Sequence, residues 1–242
     1  MRFTERACFL GVAITFLPVA GLPTWADDSQ SALAADNKAG QHDINGWGFQ
    51  KAQITDASLP RVLLIGDSIV GGYKSEVITL LQGKANVDVW TTPKHVGGPG
   101  VNDELRENLK NGPYSVIHFN ESGLHAWQPG RIPDGQYGPD MQTYIAAMKS
   151  AAPQAKLIWA STTPVTVQGH PGQLDDLDKL ISDRNAVCLP IMQANGIVVD
   201  DLHGLMVPHL DLAAGDRWHW NPAGFDLLAK AVAASISSDL SK

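Results

Sequence analysis

Short apolar runs alternate with helical patterns along the chain from about residue 61 onward. Five runs predict strands, at 62–65, 87–90, 115–120, 156–160 and 196–200. The first of them, Val62–Ile65, is apolar without alternation, which is typical of a strand buried on both faces. Helical patterns follow the strands in turn, so the order of elements predicts an α/β domain in which helices cover both faces of a five-stranded parallel sheet.

The helical patterns predict five helices, at about 73–82, 102–110, 140–151, 174–195 and 222–237. Pro190 is a candidate break in the long fourth helix, whereas Pro222 suits the first turn of the last one. Ligands of open parallel sheets bind beyond the carboxyl ends of the strands. The residues that follow each strand are therefore the candidates for chemistry.

The first 26 residues read as a secretory signal. Arg2 and Arg6 precede an apolar segment at 7–20, and Thr24-Trp25-Ala26 supplies small residues for cleavage after Ala26. The segment is short and contains Pro18, which favours a cleaved signal over a membrane anchor. We therefore predict a secreted or periplasmic protein without a stable membrane anchor.

Residues 27–58 are predicted to be a leader segment before the domain, because their first part, about 27–41, shows neither helical nor strand periodicity. Residues 59–242 are predicted to form a single domain. Within the leader, Gly46-Trp47-Gly48-Phe49 is expected to pack against the domain without joining its central sheet. Cleavage would remove Cys8 and leave Cys188 alone, which excludes an internal disulfide in the mature chain.

Composition narrows the class of partner. The 242 residues are 44% hydrophobic and 18% charged, which suits one sizeable core. The net charge is −7 and no basic stripe is present, so nucleic acid and anionic lipid surfaces are poor partners. The sequence carries no signal for the oligomeric state.

The first strand ends abruptly in Gly66-Asp67-Ser68. Glycine permits a sharp exit from a strand, and this turn would present Ser68 at the carboxyl edge of the sheet. A helix starting nearby would offer backbone N–H donors and a positive dipole end to a developing oxyanion. The alternative is that Asp67 or Ser68 only caps a helix.

A nucleophilic serine needs a base, and the base needs an orienting acid. Asp216 and His219 have these residue types, and their spacing of three in a turn can place both side chains on one side. The connection after the fifth strand would bring them to the same edge as Ser68. The alternative is a surface Asp/His pair with no role in catalysis.

An oxyanion needs donors aimed at it. The candidates are the backbone N–H of Ser68, a backbone N–H at Gly98 in the glycine-rich loop 97–100, and the side-chain amide of Asn120. Each has a structural alternative, because glycine and asparagine also shape turns.

Taken in order, Gly66-Asp67-Ser68-Ile69, the Gly98 loop, His118-Phe119-Asn120 and the stretch 216–224 (DRWHWNPAG) resemble the SGNH hydrolases, also called the GDSL esterase and lipase family. The resemblance covers about 61–238 and implies a flavodoxin-like three-layer α/β/α fold. It also implies Ser68 as nucleophile, His219 as general base, Asp216 as orienting acid, and Ser68, Gly98 and Asn120 as oxyanion donors.

The middle of the pattern departs from the family. The third block is usually Gly-x-Asn-Asp, whereas this chain has His118-Phe119-Asn120-Glu121 and keeps only the asparagine. In the second block Gly97, Gly98 and Gly100 each qualify as the donor, and a Gly-Pro pair that other members carry favours Gly98.

The expected function is hydrolysis of carboxylic esters by Ser68, His219 and Asp216, without a cofactor or a metal. The first substrate expectation is an O-acetyl or other short acyl group on a carbohydrate, with His125, Trp127 and Trp218 as substrate-binding residues. A lipid or lysophospholipid ester is the alternative substrate.

Two other classes of protein stay open at this point. A noncatalytic carbohydrate-binding protein on the same fold is one, because the third block is altered. A metal-dependent hydrolase is the other, suggested by His203, His209 and Asp211, although these residues lack a recognised metal-binding spacing.

Overall fold

The computed structural model describes residues 41–42, 46–120, 125 and 130–241. In these ranges the strands are β1 Gln41–His42, β2 Gly48–Gln50, β3 Arg61–Gly66, β4 Asn86–Thr91, β5 Val116–Phe119, β6 Lys156–Ala160 and β7 Val198–Asp200. The α-helices are α1 Ser68–Leu80, α2 Val101–Leu109, α3 Tyr137–Ala151, α4 Asp178–Ala194, α5 Leu202–Met206 and α6 Pro222–Leu240. A 3₁₀ helix covers Val207–Leu212.

The strands form one sheet in the order β1-β2-β4-β3-β5-β6-β7. Neighbouring strands from β4 to β7 pair in parallel, which confirms the predicted five-stranded parallel sheet. Numbered along the chain, these five strands have the order 2-1-3-4-5, the doubly wound arrangement of flavodoxin-like proteins. Ligands of such sheets bind where the strand order reverses, which here is the carboxyl end of β3 and its neighbours.

Two short antiparallel strands extend the sheet beyond β4. Strand β2 pairs with β4, and β1 pairs with β2. The prediction that Gly46–Phe49 stays outside the central sheet is therefore wrong, because Gly48 pairs with Thr91 and Phe49 with Trp90. A strand of three residues is too short to show a reliable period, and its place is decided by the exposed edge of β4 and by burial of Phe49.

Helices cover both faces of the sheet. On β3, Val62 and Leu64 belong to one apolar cluster with α1 and α6, whereas Leu63 and Ile65 belong to a second cluster with α2, α3 and α4. Because successive strand residues point to opposite faces, one apolar run supplies both cores. The result is a three-layer α/β/α sandwich.

The start of α1 and the continuity of α4 differ from the prediction. Helix α1 begins at Ser68, earlier than predicted, because the side chain of Asp67 caps it and accepts a hydrogen bond from Ile69 N–H at 2.9 Å. Pro190 lies inside α4 and does not break it. Cys188 and Met192 are fully buried on either side of this proline, so core packing offsets the lost backbone hydrogen bond.

The predicted signal at 1–26, its cleavage site after Ala26 and the first part of the 27–58 leader lie outside the described residues. In the part of the chain that the structure describes, no helix is long and apolar enough to cross a membrane. Cys188 is a buried thiol that forms no disulfide with any described residue.

Candidate active site

Ser68 lies at the N-terminus of α1, directly beyond the carboxyl end of β3. The turn between them is tight, since a Cβ on Gly66 would lie 2.3 Å from Cγ2 of Val70. Only glycine fits there, as the sequence predicts. The backbone N–H of Ser68 belongs to the first turn of a 13-residue helix, where N–H groups have no acceptor within the helix.

Ser68, His219 and Asp216 form a continuous hydrogen-bonded chain. The Ser68 hydroxyl lies 2.8 Å from Nε2 of His219, and Nδ1 of the same ring lies 2.5 Å from Oδ2 of Asp216. An imidazole bound to a carboxylate through Nδ1–H presents Nε2 as a proton acceptor. The three residues predicted from the sequence are therefore in contact in the order that a nucleophilic serine requires.

The carboxylate of Asp216 also organises the turn that carries it. Its Oδ1 accepts hydrogen bonds from the backbone N–H of Trp218 at 3.1 Å and of His219 at 2.9 Å. Arg217, between Asp216 and Trp218, has a φ of 82°, which folds the turn tightly. Burial raises the pKa of Asp216, but the hydrogen bonds from His219 and Trp218 outweigh it and hold the pKa below its usual value. Asp216 is thus kept as the anion.

The triad is accessible to solvent. The side chain of His219 is 35% exposed and that of Asp216 is 52% exposed, while Ser68 is half-buried. Asp67, next to Ser68 in the chain, is 1% exposed. Burial raises the pKa of Asp67 to about 6, against the opposing effects of the Ile69 N–H and the His219 ring.

Asn120 follows β5 and lies beside the turn that carries Ser68. Its backbone N–H donates to the Ile65 carbonyl at 2.9 Å, and its side-chain Nδ2 donates to the Ala160 carbonyl at 3.0 Å. These bonds tie Asn120 to the ends of β3 and β6 and hold its carboxamide in one orientation. A Cβ on Gly66 would lie 3.6 Å from the Cβ of Asn120, which shows how closely the two turns pack.

A buried polar pair precedes Asn120 in the chain. His118, two residues before Asn120, is fully buried, and its Nε2 lies 3.0 Å from Oδ2 of Asp200. His118 lies opposite Leu64, so the pair lies on the face of the sheet that α1 covers.

The Gly98 loop follows β4 at the same edge of the sheet. The Gly98 N–H donates to the His95 carbonyl at 2.9 Å, so this donor is engaged within its own turn. Gly97 and Gly100 take positive φ values of 71° and 72°, which suit glycine. The structure brings the loop to the predicted edge, and the assignment of Gly98 as an oxyanion donor stays a prediction.

The predicted substrate-binding residues fall in three different settings. His125 is half-buried, with its ring edge-to-face against Trp47 at a centroid distance of 5.6 Å. Trp218 is half-buried and packs against the core on the side of α1 and α6. Trp127 lies outside the described residues.

The alternative metal site is not assembled in the described residues. Nε2 of His203 lies 3.2 Å from Oδ1 of Asp178 and 3.4 Å from the Ser182 hydroxyl. Among the residues that the structure describes, no group of three or more His, Cys, Asp or Glu side chains is arranged to hold a metal ion.

Trp47 lies at the same edge of the sheet as Ser68, and the sequence did not assign it to the site. Its position between two glycines is visible in the sequence, but the partner that brings it to the site is β4, which is 40 residues away in the chain. Because antiparallel pairing of so short a strand leaves no local pattern, nothing in the sequence signals this contact.

Comparison with known proteins places the fold. No protein-family profile and no curated protein sequence matches the chain. Solved structures do match it. LAE5, an alpha/beta hydrolase enzyme from the metagenome of Lake Arreo in Spain, has a TM-score of 0.60 at 13% identity over 75% of this chain and 96% of its own. Axe2, an acetylxylan esterase from Geobacillus stearothermophilus, has a TM-score of 0.59 at 16% identity over 73% and 94%.

A third structure, a candidate acylhydrolase from Bacteroides fragilis, has a TM-score of 0.60 at 18% identity and covers 90% of this chain and 100% of its own. At these identities the similarity defines the fold alone. The chain therefore has the mixed α/β fold found in solved ester hydrolases, and its function must be argued from the site.

Proposed function

We propose that this protein is a secreted serine esterase of the SGNH type that hydrolyses short acyl esters on carbohydrates. The observation that carries the proposal is the unbroken chain from the Ser68 hydroxyl through His219 to Asp216 at the N-terminus of α1. A surface Asp/His pair or a capping serine would not require this geometry. Acyl transfer is supported because Ser68, His219 and Asp216 are in contact in the order of nucleophile, base and orienting acid.

In the proposed reaction the Ser68 oxygen attacks the ester carbonyl while Nε2 of His219 accepts its proton. The imidazolium that forms is stabilised by the Asp216 carboxylate. His219 then donates the proton to the leaving alcohol as the carbonyl re-forms, leaving an acyl-serine. A water molecule, deprotonated by His219, attacks the acyl-serine and releases the acid and free Ser68.

The negative charge of each tetrahedral intermediate needs preorganised donors. The Ser68 N–H lies at the positive end of α1, where the aligned peptide dipoles favour an anion. The Asn120 amide lies beside the same turn and is oriented by Ala160. We assign these two groups to the oxyanion and expect a third donor from Gly98 or a neighbouring glycine of loop 97–100.

The exposure of the triad supports a bulky alcohol with a small acyl group. A base that is 35% exposed and an acid that is 52% exposed suit an ester that protrudes from a large, solvated molecule. A long acyl chain instead needs an apolar channel to leave water. One structural neighbour is an acetylxylan esterase, which is consistent with this class of substrate. Lipid or lysophospholipid esters are the alternative substrates.

A noncatalytic carbohydrate-binding protein on the same fold is the alternative of another class. Carbohydrate binding alone does not require a serine, a histidine and an aspartate that are joined by hydrogen bonds. The short bonds from Ser68 to His219 and from His219 to Asp216 therefore favour the enzyme.

The test is hydrolysis of p-nitrophenyl acetate and octanoate by the wild type and by Ser68→Ala. Ser75→Ala is a matched control, because Ser75 is an exposed serine on the same helix. We expect Ser68→Ala to lose at least about 1,000-fold in kcat on acetate, with Ser75→Ala unchanged. The acetate ester should be the better substrate, and a chelator should have no effect.

Activity that survives in Ser68→Ala would overturn the serine mechanism. Activity lost on chelation would favour a metal-dependent hydrolase. A folded wild type that hydrolyses neither these esters nor acetylated sugars would favour the binding protein, and a preference for octanoate would favour the lipid esterase.

A further inference from the structure

Trp47 reaches the carboxyl edge of the sheet through the pairing of three strands. Gly48 of β2 lies opposite Thr91 of β4, and Thr91 lies opposite Gly66 of β3. Strand β2 runs antiparallel to β4, so the residue before Gly48 lies beyond the carboxyl end of β4. Trp47 thus lies at the edge where Ser68 follows Gly66, two strand spacings or about 10 Å away across the sheet.

The backbone on both sides holds Trp47 in place. Gly46 has a φ of 80° and Gly48 has a φ of 139°, and residues other than glycine rarely adopt these backbone angles. The Thr91 hydroxyl donates to the Gly46 carbonyl at 3.3 Å, which ties the turn to the end of β4. A half-buried indole is therefore presented at a defined point of the site's rim.

The indole of Trp47 lies against the imidazole of His125. The two rings are 5.6 Å apart at an interplanar angle of 83°. Burial lowers the pKa of His125, and the charges of Arg131, His95 and His219 lower it further. Arg131 Nε donates to Nε2 of His95 at 3.2 Å. The wall that these residues form thus combines an aromatic indole with imidazole and guanidinium nitrogens.

We propose that Trp47 and His125 form a subsite that binds the pyranose ring of the alcohol part of the ester. The inference rests on the proposed function and specifies its substrate class. A sugar ring matches both features of the wall, because its C–H face packs on an aromatic ring while its hydroxyls hydrogen-bond to imidazole and guanidinium groups. An alkyl chain would remove those polar groups from water without replacing their hydrogen bonds, which is unfavourable.

The experiment compares Trp47→Ala and Trp47→Phe with the wild type on three esters: a fully O-acetylated methyl xylopyranoside, ethyl acetate and ethyl octanoate. Ethyl acetate reports the chemistry without a sugar ring. We expect Trp47→Ala to lower kcat/KM on the acetylated xylopyranoside about ten-fold, mainly through KM, and to change ethyl acetate by less than about two-fold. Trp47→Phe should recover most of the loss.

Equal losses on the sugar ester and on ethyl acetate would overturn the subsite, because Trp47 would then only support the triad. A loss confined to ethyl octanoate would overturn the sugar subsite and favour an acyl pocket. No change on any of the three esters would also overturn the subsite. If Trp47→Ala does not fold, His125→Ala is compared with the wild type on the same three esters. The same results would then support or overturn the subsite.

Failure of the proposed function is seen separately. If the wild type hydrolyses ethyl acetate and this activity depends on Ser68, the proposed esterase function is supported, whatever the effect of the Trp47 variants. If the wild type hydrolyses none of the three esters, saturation-transfer NMR of methyl xylopyranoside with wild type and Trp47→Phe and Trp47→Ala still tests the subsite. Transfer lost in Trp47→Ala and kept in Trp47→Phe supports it, and equal transfer in all three proteins overturns it.

Discussion

The Ser68 hydroxyl lies 2.8 Å from Nε2 of His219, although 151 residues separate the two in the chain. Asp216, by contrast, is three residues from His219 and reaches Nδ1 of the same ring within one turn. His219 and Asp216 are therefore a local unit, and the fold brings that unit to Ser68.

Asp216→Asn should lower kcat by about 100-fold to 10,000-fold with little change in KM. The amide retains the size of the carboxylate but removes the negative charge that stabilises the imidazolium, and it can donate to Nδ1 and leave the wrong tautomer. Steady-state kinetics on an acetate ester measure the effect. Asp211→Asn is a matched control on an exposed neighbouring residue and should retain full activity. Near-normal kcat in Asp216→Asn would contradict the role of Asp216.

Asn120→Ala should lower kcat by about 100-fold, because one donor to the oxyanion is lost. KM should change little, since the donor acts mainly on the transition state. Asn111→Ala provides a control at another half-buried asparagine, at the end of α2. A change confined to KM would assign Asn120 to substrate binding instead, and thermal unfolding of each variant separates a loss of fold from a loss of catalysis.

Asp67→Asn should flatten the pH dependence of stability. The pKa of Asp67 is about 6 in the fold, above its value near 3.8 in the unfolded chain. Between these two values the unfolded chain loses the proton while the folded protein retains it, so the contribution of Asp67 to stability falls as pH rises from about 4 to about 6. Asparagine can still accept from Ile69 N–H, but it does not ionise.

Chemical denaturation at pH 5 and pH 8 measures this difference. We expect the free energy of unfolding of the wild type to fall by about 1.4 kcal/mol more than that of Asp67→Asn over this change, because about half of the effect of the raised pKa lies above pH 5. The cause is burial, because Asp67 is 1% exposed and its Oδ2 has no hydrogen-bond partner among the described residues. The same slope in both proteins would show that Asp67 does not titrate there.

Asp88→Ala should destabilise the fold by about 3–5 kcal/mol. Asp88 is fully buried and accepts hydrogen bonds from Ala52 N–H at 2.7 Å, Arg61 Nη2 at 2.5 Å and the Tyr114 hydroxyl at 2.6 Å. Removing the carboxylate leaves all three donors without this acceptor. Tyr114→Phe removes one donor and should cost only about 1 kcal/mol. Denaturant unfolding measures both, and equal effects of the two changes would contradict a shared network.

Several features of the fold follow from local patterns. The unalternating run Val62–Ile65 indicates a doubly buried strand because both of its faces are apolar, and Gly66 marks the only residue type that the following turn accepts. Helix α1 begins about five residues before its predicted start, because Gly71 and Gly72 weaken the helical pattern in its first turns.

By itself the sequence determined the five parallel strands, the presented Ser68 and the Asp216 and His219 pair, because burial periodicity and short turns are local properties. Only the tertiary structure decided that Ser68 meets His219, that Trp47 joins the rim through an antiparallel strand, and that the Gly98 N–H donates to His95. These contacts join distant or conformationally free segments. Their geometry is fixed by packing and by hydrogen bonding of the whole sheet, and no local pattern encodes it.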